Sequence, residues 1–367
     1  MSTILVTGGA GFIGRHVAAD LIAAGHTVRI LDGFVPQVHD GVEVPLPREI
    51  DVISADIRDR DALRRGLSGV DGVIHLAAEV GVGQSMYEIS RYVGANDLGT
   101  AVLLEAIYEH PVKRLVVASS MSVYGEGLYV DRQGNRHDSI RRSTADLKAG
   151  RWDPVGADGE MLEAQPTDEE KRPDLASIYA LTKFAQEREA LIFGETYGIG
   201  TVALRLFNVF GAGQALSNPY TGVLANFASR LAKGKRPTIF EDGRQRRDFV
   251  HVLDVARAFR LAYESDVSNE VINVGSGRSY SIAQVAELLA QAMGLSELAP
   301  EILGKFRSGD IRNCFSDNAK AERLLGFRPE YRLDDSLDDL VAWVRAASFT
   351  DNGAMMRSEL EARGLVS

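Results

Sequence analysis

The sequence predicts an α/β fold: a doubly wound parallel sheet followed by a smaller, mostly helical region. Three observations carry that expectation. Apolar strand-like runs alternate with helical ones through the first half of the 367 residues, Gly8-x-x-Gly11-x-x-Gly14 directly follows the first run, and an acid, Asp32, ends the second. Alternation of this kind calls for right-handed crossovers, which place helices on both faces of the sheet.

The elements follow in order. Residues 4–7 form the first strand and lead into a helix running through Leu21. Strands are expected at 27–32, 51–54, 72–76 and 114–119, with helices around 59–67 and 97–109 between them. A helix at 179–196, an apolar run at 201–209 and a buried strand at 271–274 continue the pattern. Two segments break it. Residues 126–176 are polar, carry an exposed-looking Trp152, and read as a long inserted loop that is functional, mobile or both. Residues 211–246, rich in Gly, Pro, Asn and Lys, read as irregular structure over a ligand cleft.

In the last third, Ser281-x-x-Gln284 has capping-box spacing, Ile282, Val285, Leu288 and Leu289 form an apolar stripe, and Gly294 stops the helix. Leu333, Leu337, Leu340, Val341 and Val344 mark a second amphipathic helix. The implied division is 1–210 with 247–276 as the dinucleotide-binding domain, carrying the 126–176 insert. Residues 211–246 with 277–348 then form a substrate-binding domain, and 349–367 a loosely attached tail. No internal repeat is visible.

Each glycine of the first turn has a purpose. One permits the tight turn, one lets backbone approach a pyrophosphate, and one packs helix against strand. The helix N-terminus then presents free N–H groups and partial positive charge to the phosphates. Gly8, Gly11, Phe12, Ile13 and Gly14 are therefore expected around a dinucleotide on a Rossmann-type sheet. The Asp32 carboxylate can accept hydrogen bonds from the adenosine ribose and repels a 2′-phosphate, which favours NAD over NADP. Asp56 and Ile57 are expected at the adenine edge, with plain capping the alternative for Asp56; Leu76, Ala77 and Ala78 let the cofactor lie close to backbone.

Composition narrows the field. A net charge of −10 argues against a nucleic-acid surface, so an anionic ligand must be met by locally placed arginines. The single cysteine, Cys314, excludes an intrachain disulfide and suggests a reducing, cytoplasmic setting. Seven scattered histidines without HExxH or Cys/His pairs give no metal site. Arg15, His16 and Asp20 interrupt the apolar N-terminus, so no leader is read there. No apolar run approaches the roughly 20 residues that span a bilayer, so no membrane partner is expected.

Tyr179 and Lys183 are four apart and share one helix face. A phenol with its ordinary pKa near 10 is a poor base. A neighbouring ammonium and the positive nicotinamide of NAD+ would stabilise the phenolate and lower that value. Lys183 can also hold the nicotinamide ribose, and Ser120, at the end of its strand, can share the proton with a substrate hydroxyl. Arg247 and Arg307 are candidates for clamping a diphosphate, because planar guanidinium donors suit phosphate oxygens; surface ion pairs are the alternative. Arg244 and Arg246 read as solvated.

With these motifs the chain resembles the extended short-chain dehydrogenases/reductases of the nucleotide-sugar epimerase/dehydratase family. The resemblance covers all but the insert and the tail. It rests on 7–14, His75-Leu76-Ala77-Ala78, Asn96-x-x-Gly99-Thr100, the run 119–125 and Tyr179–Lys183, then on the runs 205–211 and 247–252 and on Arg307-x-Gly309-Asp310. It implies that Asn208 holds the phosphate next to the sugar, that Asp310 meets a ribose, that Ser85 and Asn96 line the cleft, and that the chain forms a homodimer through a helix bundle. Family dehydratases carry Asp-Glu after the catalytic Ser/Thr, where this chain has Met121 and Ser122. Neither exchanges a proton at neutral pH, so inversion of C4 through a 4-keto sugar is implied instead of water elimination.

The stretch 214–223 and the long 126–176 insert look most like bacterial 4-epimerases of dTDP-linked 6-deoxyhexoses, with dTDP-L-rhamnose the implied substrate. A UDP-glucose or UDP-GlcNAc 4-epimerase and a 4-keto-sugar reductase are the alternatives. A non-catalytic nucleotide-sugar sensor is disfavoured by the retention of Ser120, Tyr179 and Lys183.

Overall fold

The computed structural model describes residues 1–39, 46–47, 50–218, 220, 222–307, 309–347 and 349–366, so Pro219 and Thr221 of the 214–223 stretch, Ser308, Ser348 and Ser367 lie outside the described residues. Short apolar strands whose alternate residues face opposite helix layers build the main sheet. Its strands are β1 (Thr3–Thr7), β2 (Thr27–Asp32), β3 (Asp51–Ser54), β4 (Gly72–His75), β5 (Arg114–Ser120), β6 (Gly200–Leu206) and β7 (Glu270–Val274). They pair in parallel throughout, in the order β3-β2-β1-β4-β5-β6-β7.

Helices α1 (Phe12–Ala23), α2 (Arg60–Leu67), α3 (Gly99–Glu109), α4 (Ile178–Tyr197) and α5 (Val252–Glu264) cover both faces. Ile4 and Val6 of β1 pack with Val17 and Leu21 of α1 and Phe259 of α5. Leu5, between them, packs to the other side with Leu63 of α2, Leu103 of α3 and Ala190 of α4. The strand order reverses between β1 and β4, which opens a crevice at the carboxyl ends of the strands.

A second cluster lies beyond the sheet. The expected capping box is present: Ser281 N donates to Gln284 Oε1 at 2.8 Å and Gln284 N donates to Ser281 Oγ at 3.1 Å. The helix it starts, Ile282–Met293, ends at left-handed Gly294. Val285 and Leu289 pack there with Leu333, Leu337, Leu340, Val341 and Val344, but these five are not on one helix: Leu333 lies in a 3-10 turn, Leu333–Asp335, and the expected second helix begins only at Asp338, running to Ala346.

Other expectations need correction as well. The run at 201–209 is two strands, because Phe207 turns its N–H to Val274 O (3.0 Å) and Asn208–Phe210 crosses into a separate sheet beside Arg246–His251. The helix expected at 97–109 begins at Ile89 and reaches α3 through a π-helical turn, Val93–Leu98. Residues 211–246 include a regular helix, Val223–Ala232, whose Leu224, Phe227 and Leu231 join the second cluster. The insert is a three-stranded antiparallel sheet, Leu128–Val130, Arg136–His137 and Glu163–Gln165, with Trp152 half-buried.

The tail also packs. Helix Gly353–Ala362 buries Met356 and Leu360 beside Tyr87, Tyr220 and Phe240.

Helix α4 is fixed to the sheet by charge. Glu187 accepts from Arg205 Nε (2.9 Å) and Nη2 (2.7 Å) and from Ser119 Oγ (2.7 Å), all buried. Glu187→Gln leaves the Arg205 guanidinium without its counter-charge and should destabilise the protein by about 3–5 kcal/mol. Urea unfolding measures it, and a loss under about 1 kcal/mol, the size of an exposed pair, would contradict that anchoring role.

Candidate active site

The glycine turn is built for two different contacts. Gly8 has φ +69°, and a Cβ there would sit 2.8 Å from Ala77 N. A Cβ on Gly14 would lie 2.3 Å from Gly8 O and 2.6 Å from Gly9 Cα, so this glycine seats α1 on the turn. Gly11 differs: a Cβ there would meet only Gly8 O, at 3.3 Å, and Gly11 lines a cavity of about 710 Å³. Its lack of a side chain serves whatever lies outside the backbone. Gly11 is also the N-cap of α1 and makes no side-chain capping bond, which leaves the helix N-terminus to a ligand anion. These residues fit a dinucleotide pyrophosphate. Phe12, Ile13, Ile57, Leu76, Ala77 and Ala78 line the same cavity, as expected.

Asp32 closes the turn from below. Its carboxylate accepts from Ala10 N (3.0 Å) and Phe34 N (2.9 Å), and His39 lies 3.5 Å away. It lines the cavity, where its remaining lone pairs suit ribose hydroxyls. Asp56 also lines the cavity, with its carboxylate gripped by Arg58 through Nε (2.8 Å) and Nη2 (2.6 Å). The cap of α2 is Asp59, not Asp56.

Tyr179 stands in the first turn of α4. Ser177 caps the helix through Ala180 N (3.1 Å), and Tyr179 N donates to Ser85 Oγ (3.0 Å). The Tyr179 ring meets Tyr92 edge-on at 6.4 Å, and Ser120 lines the same cavity. One turn on, buried Lys183 donates from Nζ to Gln186 Oε1 (2.6 Å). Gln186 Nε2 donates to Thr100 Oγ1 (2.8 Å), which pairs with His75 Nε2 (2.9 Å), and His75 Nδ1 pairs with Thr7 Oγ1 (2.7 Å). Burial, helped by the Lys183 charge, pushes His75 down to about 3, so this chain is neutral up to the amine.

The expected lowering of the phenol is not a property of the protein alone. Burial pushes Tyr179 up, against the hydrogen bond from Ser120. Burial also pushes Lys183 down to about 7, against the attraction of Glu187. An added positive charge beside the pair is needed to tip the phenol toward its anion, and oxidised nicotinamide carries one.

Two expected site residues are placed elsewhere. Ser85 is buried and does not line the cavity; it donates to Val82 O (2.7 Å) and holds the start of α4. Asn96 is likewise off the cavity, with its amide spent on Glu79 O (3.1 Å) and Thr182 Oγ1 (2.9 Å) and its carbonyl on Glu79 N (2.7 Å). Both position other groups, because a small polar side chain buried beside backbone is consumed by it.

The remaining expected residues do converge. Met121, Ser122, Asn208, Arg247, Arg307 and Asp310 line the cavity. Asn208 Oδ1 is buried without a partner, an orphan that a ligand can satisfy. Arg307 donates twice to Asp310 Oδ2 (3.0 and 2.7 Å), and Arg247 reaches Asp310 Oδ1 at 3.3 Å. Burial works against the Asp310 charge, yet Arg307, Arg247 and Arg142 hold its carboxyl down at about 2. Two guanidinium groups fixed by one carboxylate form a clamp for phosphate oxygens. Arg244 and Arg246 are exposed, as expected.

Sequence reasoning missed Tyr92, Thr100, Thr182, Gln186, Glu187 and Arg142. One signal was available: Tyr179, Thr182, Lys183, Gln186 and Glu187 fall at core-facing spacing, so α4 turns a polar stripe inward.

The two glycines should separate in experiment. Gly11→Ala is expected to weaken dinucleotide binding more than tenfold (about 1.4 kcal/mol) with little loss of stability. Gly14→Ala, which forces a side chain into backbone, should lower stability by about 1–3 kcal/mol. Titration calorimetry and urea unfolding of both variants distinguish them; an unchanged affinity in Gly11→Ala would count against the cradle.

The chain is similar to known proteins of one family over most of its length. The profile of the NAD dependent epimerase/dehydratase family matches residues 4–145 and 154–275. Over 350 residues the chain is 37% identical to the dTDP-L-rhamnose 4-epimerase of Burkholderia thailandensis, spanning 93% of this chain and 94% of that protein. It superposes on the UDP-N-acetylglucosamine 4-epimerase of Methanobrevibacter ruminantium with a TM-score of 0.77 at 30% identity, covering 94% of this chain and 98% of that one. The UDP-glucose 4-epimerase of Thermus thermophilus, solved in complex with NAD, gives 0.75 at 29% identity and covers 94% and 100%. The cofactor is NAD, as in the family and in the structure solved with it. The chain belongs to the NAD-dependent epimerase/dehydratase family.

Proposed function

We propose that this nucleotide-sugar 4-epimerase acts on a dTDP-linked 6-deoxyhexose such as dTDP-L-rhamnose. One observation carries the reaction class: a single cavity joins Gly11, the Ser120–Tyr179–Lys183 group and the Arg247–Arg307 clamp. Met121 and Ser122 supply neither acid nor base near neutral pH, which leaves hydride exchange at C4 without elimination. The sugar assignment is supported by the likeness to the Burkholderia thailandensis dTDP-L-rhamnose 4-epimerase. A UDP-linked hexose is the second reading, favoured by the fold shared with UDP-sugar 4-epimerases.

The residues divide the work. Arg247, Arg307 and Asn208 grip the diphosphate, which leaves the hexose as the loosely held end. Tyr179 takes the O4 proton through its phenolic oxygen, with Ser120 on the same cavity wall to share it. Lys183 stands one helical turn behind the phenol and can bind the nicotinamide ribose. Bound NAD supplies hydride acceptance at C4 and hydride return. Between those events the 4-keto sugar would turn over, so that the other face of C4 receives the returning hydride while Tyr179 gives its proton back to O4.

Tyr179→Phe should lower kcat by about 10²–10⁴-fold while leaving unfolding unchanged. With a panel of dTDP- and UDP-sugars in D2O, NMR should show epimerisation with no deuterium on any sugar carbon. Deuterium at carbon would overturn the hydride route, and turnover of UDP-hexoses alone would overturn the sugar.

A homodimer completes the proposal. Tyr108 on α3 and Leu181, Ile192 and Tyr197 on α4 are exposed apolar side chains, and Tyr108 and Tyr197 lie 5.1 Å apart. Light scattering should give twice the 39.9 kDa chain mass, and Ile192→Lys should shift it toward the monomer; a monomeric parent protein would refute the pairing.

A further inference from the structure

We propose that the C-terminal segment 353–366 is the apolar wall of the hexose subsite and selects a sugar bearing a methyl group, not a hydroxymethyl, at C5. The proposal rests on the 6-deoxyhexose reading and names the residues that would enforce it.

The segment spans the stretch of cavity that a sugar attached to the clamp would occupy. At one end, Val366 forms an antiparallel bridge with Arg307, and the Arg307 guanidinium stacks on Phe240 at 4.8 Å, in the cluster that holds Val366. At the other end, Leu360 lies against the 82–85 turn, where a Cβ on Gly83 would meet its Cδ2 at 3.4 Å. Ser85 of that turn bonds Tyr179 N at 3.0 Å. The segment therefore runs from the diphosphate clamp to the support of the catalytic phenol.

What it presents to the cavity is apolar. Of the segment's described residues, Met356, Leu360 and Leu365 line the cavity. Its charged groups are engaged elsewhere. Glu359 accepts from Tyr220 Oη (2.7 Å) and Tyr87 Oη (3.2 Å), which also bond each other (2.7 Å). Glu361 pairs with Lys305 (3.0 Å) and Arg357 (3.1 Å), and Arg363 stacks over Tyr87 at 4.0 Å. At the 82–85 turn that Leu360 meets, Val80, Val82 and Met86 line the cavity and are apolar as well. A C6 hydroxyl against these side chains would lose water without gaining a partner, whereas a methyl loses nothing. An apolar pocket discriminates against an added hydroxyl by up to about 10²-fold.

The test uses the full chain loaded with NAD, in the Tyr179→Phe background so that no sugar is turned over. Calorimetry compares dTDP-D-fucose with dTDP-D-galactose, which differ only at C6, and with dTDP alone. The parent should bind the fucose derivative at least tenfold more tightly than the galactose one. Leu360→Gln should bring that ratio near one while dTDP affinity stays within twofold, and Leu360→Met should restore it. Leu365→Gln, at a half-buried position, reports the same effect if Leu360→Gln folds poorly. An unchanged ratio in both glutamine variants, an equal loss of dTDP affinity, or no gain of either sugar over dTDP overturns the proposal. Turnover is assayed separately with Tyr179 intact; failure there counts against the epimerase reading, while the binding ratio alone decides for or against the wall.

Discussion

Glu187 is a carboxylate almost without water, and the site is assembled on the bonds it accepts. Arg205 reaches it from β6 and Ser119 from β5, so two central strands grip the middle of α4. The N-terminal end of the same helix is tied by Ser85 to the turn after β4, and Thr182 is tied by Asn96 to the π-helical turn before α3. A phenol and an amine one turn apart keep their aim over the ends of the strands only while that helix neither slides nor rotates. The Arg205 guanidinium also lies over the Tyr124 ring at 4.7 Å, which extends the support beneath the Ser120 turn.

The electrostatics of that arrangement are incomplete without the cofactor. Burial raises the Tyr179 phenol and lowers the Lys183 amine, so both groups are drawn toward their neutral forms. The polar chain behind Lys183, through Gln186, Thr100 and His75 to Thr7, contains no fixed charge that would reverse this. Oxidised nicotinamide of a dinucleotide seated by its pyrophosphate at the Gly11 turn would supply the missing charge, which would couple the acid–base chemistry to the oxidised cofactor.

Sequence reasoning makes the insert a loop and the C-terminal segment a loose tail, yet both are structural. The C-terminal segment packs through Met356, Leu360 and Val366, whereas the insert is polar in composition because its stabilisation is polar. Arg142 of the insert bonds Glu126 (3.0 Å), Glu241 (2.7 Å) and Asp310 O (2.8 Å), and Arg312 bonds Asp153 (2.7 Å) and Asp242 (2.6 Å). A run of acids and arginines with no apolar period resembles solvated chain when seen alone. It becomes an interior network once its opposite charges come from 126, 142, 241 and 312. The insert thus braces the carboxylate that aims Arg247 and Arg307.

The sheet, the glycine turn, Asp32 and the Tyr179–Lys183 spacing are legible in the linear chain. Those features are local: strand period, turn sterics and helix spacing act over a few residues. The convergence of Arg247, Arg307, Asn208 and Asp310 on the cavity is legible too, through motifs whose meaning is chemical. Only the folded chain reveals that Ser85 and Asn96 turn away from the cavity, that Glu187 anchors α4, and that residues near 360 meet the turn at 83. Each of these depends on which distant backbone a side chain finds when it is buried, and no local rule specifies that partner.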